Sequence, residues 1–132
     1  IVYSPMQSGL LSGRFTAERV AAMAEDDWRR TGPEFNEPRL ARNLQLAEWL
    51  RPIAEAHQES VGAVAVAWTL AWSGVTGAIV GARSPEQVDG WIGAAGLRLN
   101  DAELDSIAAA IETTGAGQGP VAPLVATGAG RR

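Results

Sequence analysis

Apolar residues along the chain fall into three kinds of pattern. From Arg39 to His57 the positions Leu40, Asn43-Leu44, Ala47, Leu50-Arg51 and Ala54 recur at intervals of three and four, with Trp49 and Ile53 beside them. That is the period of an amphipathic helix. The stretch Val61 to Trp72, VGAVAVAWTLAW, is apolar on almost every side. With Ser60 as its cap and Gly74 at its end, it predicts a helix buried over most of its surface. Two short runs carry no helical period: Ile1 to Pro5, stopped by its proline, and Thr76 to Val80, bounded by glycines. Both read as buried strands.

The remaining elements follow from capping and turn chemistry. Ala17 to Ala24 predicts a short helix, followed by a long irregular loop to residue 38 with two prolines and no sustained period. In Ser84-Pro85-Glu86-Gln87 the serine caps, the proline takes the first helical position and the glutamine closes a capping box. This predicts a helix to about Ala95, ended by Gly96. Asn100 or Asp101 caps a last helix through Ile111, with Glu103 in its first turn. After Thr113 the sequence loses all period and reads as a disordered tail. Strands alternating with helices imply parallel βα units. Two strands and one helix apolar all round nevertheless leave too little chain to cover them.

Composition narrows the function classes. With 46% apolar and 20% charged residues in 132, the chain is a globular domain rather than a disordered one. Its net charge of −4 argues against nucleic acid and anionic membrane surfaces. No apolar run reaches the roughly 18 residues of a membrane helix, and no signal peptide is visible. The absence of cysteine excludes disulfides and thiolate metal sites and fits a cytoplasmic setting. All 11 basic residues are arginine, and Tyr3 and His57 are the single tyrosine and histidine. A mechanism that needs a lysine, or a second tyrosine or histidine, cannot be completed by these residues alone. His57 at a helix end reads as a dipole partner rather than a catalyst. Asp26-Asp27 beside Glu25 read as a solvated loop rather than a metal site. Trp68 and Trp72, four apart, have core spacing, and Trp49 is also assigned to the core.

Two loops carry chemistry. In AIVGARSPEQ a strand ends at Gly81, a helix begins at Ser84, and Arg83 adds a planar guanidinium beside the helix N-terminus. Unpaired N–H groups, a positive dipole end and a donor fork together suit a phosphate. In YSPMQSGLLSGR, Tyr3 offers an aromatic face, Ser4 and Ser8 offer hydroxyls, Gly9 and Gly13 free the backbone, and Arg14 supplies charge. Taken singly, each loop is equally a capped helix with a solvated arginine or a plain loop with a half-buried tyrosine. Neither contains a P-loop or a GxGxxG fingerprint. Both follow strands at the carboxyl end, where barrel enzymes build their sites and where the last two strands form a phosphate site.

YSPMQSGLLSGRF and GVTGAIVGARSPEQVDGWIGAA resemble the seventh and eighth strand segments of the aldo-keto reductases, and LRPIAEAHQESVGAVAVAWTLAWSGV resembles the family's seventh crossover helices. The similarity covers about residues 1 to 112, leaving 113–132 as the tail. It implies an α/β fold that is the C-terminal part of an (α/β)8 TIM barrel, beginning at the seventh strand with the first six absent, and binding NADPH. By the same resemblance Tyr3 stacks on the nicotinamide, and Ser4, Pro5, Met6, Gln7 and Ser8 line the diphosphate with Arg14 nearby. Gly81, Arg83 and Gln87 form the pocket for the adenosine and its 2′-phosphate. Arg29 closes over the cofactor, with Arg30 as the alternative.

The sequence departs from the family at Gly90 and Trp91, where relatives often carry Glu and Asn for the adenine; here Trp91 is assigned to packing. The family's catalytic Asp, Tyr, Lys and His come from the first half of the barrel, so the chain holds no catalytic residue. The expected function is the cofactor-binding part of an NADPH-dependent oxidoreductase that reduces small aldehydes and ketones. The competing expectation is a non-enzymatic interaction module that uses helix 61–72 as its surface.

Overall fold

The computed structural model describes residues 1–123. Helix α2 (Arg39–Ala56) presents Leu40, Leu46, Ala47, Leu50 and Ala54 to the interior, as its period requires. Helix α3 (Val61–Leu70) lies beside it, and α5 (Asp101–Thr114) packs on α2 through Ile107 and Ala110. Together they form the main core. A smaller cluster of Leu10, Val20, Phe35 and Leu40 seats the 7–12 turns, the short helix α1 (Ala17–Ala21) and the 33–35 turn. The 25–38 stretch, expected to be irregular, is built from two 3₁₀ turns, Trp28–Thr31 and Pro33–Phe35.

Local capping explains where the helices begin. The Ser60 hydroxyl accepts the Ala63 N–H at 2.9 Å, and the Asn100 carbonyl accepts the Glu103 N–H at 2.9 Å while Glu103 returns to Asn100 N–H at 2.8 Å. Gly115 in the left-handed region (φ +66°) ends α5. His57 caps the end of α2, and its Nε2 lies 2.6 Å from Glu103 Oε1, joining α2 to the start of α5.

Strands β1 (Val2–Tyr3) and β2 (Ala78–Ile79) pair in parallel, Val2 opposite Ala78 and Tyr3 opposite Ile79. They are shorter than expected and are not buried: Tyr3 is 80% and Ile79 64% exposed. Each strand has one partner among the described residues, and no second layer covers the pair's outer face. Helix α3 is buried over most of its surface, as its all-round apolar sequence predicts, although too little chain was expected to cover it. Val61 to Ala67 are all buried, because α2, the 7–12 turns and the 92–95 turn together enclose it. The small residues Gly62, Ala63, Ala65 and Ala67 make that enclosure close.

Three further expectations are corrected. The helix from Ser84 breaks: α4 spans Pro85–Asp89, Gly90 and Trp91 interrupt it, and a 3₁₀ turn covers Ile92–Ala95. The Ser60 hydroxyl donates to the Gly90 carbonyl at 2.5 Å, so a carbonyl that would continue the helix is held by α3 instead. Trp49 is 48% exposed rather than in the core. The last helix runs to Thr114 and Ala116 is 5% exposed, so order extends past residue 113. Residues 124–132, the last part of the expected tail, lie outside the described residues.

Candidate functional site

The parallel pairing of β1 and β2 brings the loops behind them to one side, where they enclose a cleft of about 470 Å³. Nine of the eleven residues singled out by sequence line it: Ser4, Pro5, Met6, Ser8, Arg14, Arg29, Gly81, Arg83 and Gln87. Tyr3 and Gln7 do not; Tyr3 stands exposed on its strand, and Gln7 is turned outward in the left-handed region (φ +48°).

The first loop is bent by an unusual run of left-handed residues. Ser4 (φ +55°), Gln7 (+48°) and Ser8 (+56°) adopt the conformation without being glycine, and Gly9 (+95°) and Gly13 (+75°) continue it. Non-glycine residues in this region carry strain that the surroundings must hold. Here the holding contacts come from fully buried Leu10 and from α3. A Cβ on Gly62 would lie 3.0 Å from Met6 Sδ and 3.3 Å from the Gly90 carbonyl oxygen. A bare position 62 therefore lets both cleft-forming loops rest on the first turn of α3.

The second loop is set by Gln87, whose Oε1 accepts the Arg83 N–H at 2.7 Å. The expected capping box is thus shifted by one residue: Ser84 makes no side-chain cap to the backbone, and its hydroxyl bonds to Glu86, holding that carboxyl below its usual range. A Cβ on Gly81 would meet no atom within 4 Å, and the φ there is not left-handed. Nothing in the chain's own packing calls for glycine at 81; the open space belongs to the cleft. At Gly90 a Cβ would press on the Gln87 carbonyl oxygen at 3.2 Å and would touch Arg14 Nη2 at 3.4 Å, an ordinary contact distance. Trp91 packs against the main core as expected, although its partly buried ring also lines the cleft.

Arg29, rather than Arg30, faces the cleft; Arg30 Nη1 reaches the Met23 carbonyl at 3.4 Å. Asp27 grips Arg29 from the side, with Nε at 2.9 Å from Oδ1 and Nη2 at 2.5 Å from Oδ2. Arg29 hydrogen bonds and the nearby charge of Arg83 hold the Asp27 carboxyl down to about 2. Sequence reasoning missed Phe15, Arg19 and Trp28, which also line the cleft. Arg19 and Arg29 both lie over the Phe15 ring, at 5.0 and 5.7 Å from its centre. The adjacent Arg14-Phe15 pair was the available signal. Among the described residues no acidic–histidine group has the makings of a metal site. The cleft, with four guanidinium groups on its walls, is suited to a phosphorylated ligand.

The model of the Aldo/keto reductase family matches residues 1–112. Aldo-keto reductase str7 of Strobilurus tenacellus is 29% identical over 107 residues, 81% of this chain and 31% of the relative. The NADH-specific methylglyoxal reductase of Escherichia coli (strain K12) is 31% identical over 104 residues, 77% of this chain and 30% of the relative. Among solved structures, the glycerol dehydrogenase AKR11B4 from Gluconobacter oxydans superposes with a TM-score of 0.74 at 29% identity, over 97% of this chain and 37% of that one. The chain spans about a third of the length of the curated relatives it matches, and its strands and helices form an incomplete portion of an (α/β)8 barrel. From the matched residues and the superposed fold together, the chain belongs to the aldo/keto reductase family.

Proposed function

We propose that the cleft binds NADPH and that this chain is the cofactor-binding part of a cytoplasmic reductase of small aldehydes and ketones. The observation that carries the reading is electrostatic: Arg14, Arg19, Arg29 and Arg83 converge on one cleft in a chain of net charge −4. The open space beside Gly81 on the cleft wall is consistent with it, leaving room there for a ligand. In this reading the Ser4–Ser8 loop and Arg14 take the diphosphate, and Arg83, Gly81 and Gln87 take the adenosine and its 2′-phosphate. Tyr3, exposed beside the cleft, meets the nicotinamide, and residues 1–112 make up the cofactor-binding unit.

When bound, the cofactor supplies hydride to a carbonyl carbon. The residues of this chain bind and orient it. Protonation of the carbonyl oxygen falls to groups outside residues 1–132, since the chain has no lysine and its one tyrosine stands at the stacking position. The competing interaction-module reading loses its surface, because Val61 to Ala67 are buried.

The name of the Escherichia coli relative makes NADH the alternative cofactor. Titration calorimetry of the chain with NADP⁺ and NAD⁺ tests the choice. Wild type is expected to prefer NADP⁺, and Arg83→Ala to weaken NADP⁺ about tenfold or more and NAD⁺ far less, as a charge-assisted bond is worth roughly 1.5–3 kcal/mol. Equal losses would remove Arg83 from the 2′-phosphate, and tighter NAD⁺ binding by wild type would favour NADH.

A further inference from the structure

Asp27, unlike Arg29, has no role assigned by the family resemblance, and the geometry of its pairing with Arg29 is specific. Asp27 caps the Trp28–Thr31 turn by accepting the Arg29 N–H at 3.0 Å. The same carboxylate takes the Arg29 side chain along its Nε–Nη2 edge. Both side chains are less than one-fifth exposed. The Arg29 Cζ lies over the Phe15 ring, 5.7 Å from its centre, and Phe35 packs edge-on to Phe15 with ring centres 5.8 Å apart. One edge of the guanidinium is thus occupied by the carboxylate, and the group sits over an aromatic ring. The remaining edge, formed by Nη1 and the outer hydrogen of Nη2, makes no hydrogen bond among the described residues. Arg29 itself lines the cleft.

A free arginine has several rotatable bonds to fix before its planar fork can meet a phosphate. Here that ordering is done within the chain, by residues two and fourteen positions away. We propose that Asp27 is a positioning residue: it presents the free edge of Arg29 to the ligand's phosphate, and acts on binding only through Arg29. The inference rests on the reading that the cleft takes a dinucleotide phosphate. It also opposes a simpler expectation, that an acid beside the cleft repels an anionic ligand.

The test is a double-variant cycle on NADP⁺ binding, measured by calorimetry on the full chain with Asp27→Ala, Arg29→Ala and the pair. Asp27→Ala is expected to weaken NADP⁺ about tenfold, the scale of one charge-assisted contact. In the Arg29→Ala background the same change is expected to do nothing. Asp27→Asn, which keeps an acceptor for the Arg29 N–H, is expected to restore part of the loss, and it replaces Asp27→Ala in the cycle if that variant fails to fold. Unchanged or tighter binding by Asp27→Ala, or an equal loss with and without Arg29, would overturn the positioning role while leaving the cofactor reading intact. Failure of the wild-type chain to bind NADP⁺ or NAD⁺ would overturn the cofactor reading itself, and this inference with it.

Discussion

Gly13→Ala probes whether the first cleft loop is seated on α3 as described. Two costs combine at this position. The backbone sits at φ +75°, where an alanine pays about 1–2 kcal/mol, offset by about 0.4–1 kcal/mol from the stiffer unfolded chain. The new Cβ would also lie 2.9 Å from Val61 Cβ and 3.1 Å from its Cγ2. Val61 is 4% exposed on the first turn of α3 and has no free volume to yield into, and such overpacking costs about 1–3 kcal/mol. Gly74 provides the control: its φ is +84°, and a Cβ there would meet nothing within 4 Å. Gly74→Ala carries the backbone cost alone. Urea unfolding followed by far-UV circular dichroism is therefore expected to show Gly13→Ala less stable than Gly74→Ala by about 1–3 kcal/mol at unchanged slope. Equal losses, or a milder Gly13→Ala, would mean that the loop does not rest on Val61.

Two more outcomes are expected. The Asp27 carboxyl is depressed in the folded chain, so its pairing with Arg29 contributes fully above the ordinary aspartate value of 3.8 and is lost as pH falls through about 2. A carboxyl carbon resonance of Asp27 is expected to titrate near 2, and a midpoint near 3.8 would mean that the pair does not form. Asn100→Ala removes the side-chain half of the α5 capping box and is expected to lower stability by about 1 kcal/mol in thermal or urea unfolding. A change within 0.3 kcal/mol, roughly the level of error in such measurements, would count against the cap.

The features legible in the sequence are those decided within one turn of the chain. Ser60 and Asn100 cap their helices because each cap oxygen and the N–H it accepts lie three residues apart. The period of α2 fixes its buried face for the same reason. What was misread is decided across the fold. The break at Gly90 depends on Ser60, thirty residues away. The exposure of Trp49 depends on which faces of α2 its neighbours α3 and α5 cover, and the strands are exposed because the described residues provide no sheet around them. The site was read in part by analogy, and nine of eleven residues do come together. Phe15, Arg19 and Trp28 were missed because the 14–31 stretch has no period, and only its folding across Phe35 brings their side chains to the cleft.

The first turn of α3 also bears on how such a chain tolerates change in length. Met6 and Gly90 are far apart in sequence, yet both lie against Gly62, and Gly90 is held by Ser60 as well. The stretches between them, 14–38 on one side and 70–77 on the other, carry neither contact. Residues inserted or deleted there would leave the distance between the two walls of the cleft unaltered, as long as α3 keeps its place in the core. Loops elsewhere in such a chain are free to vary while the spacing of the two cleft walls stays at one gauge. Side-chain bulk added at position 62 would alter that gauge even in a chain of unchanged length.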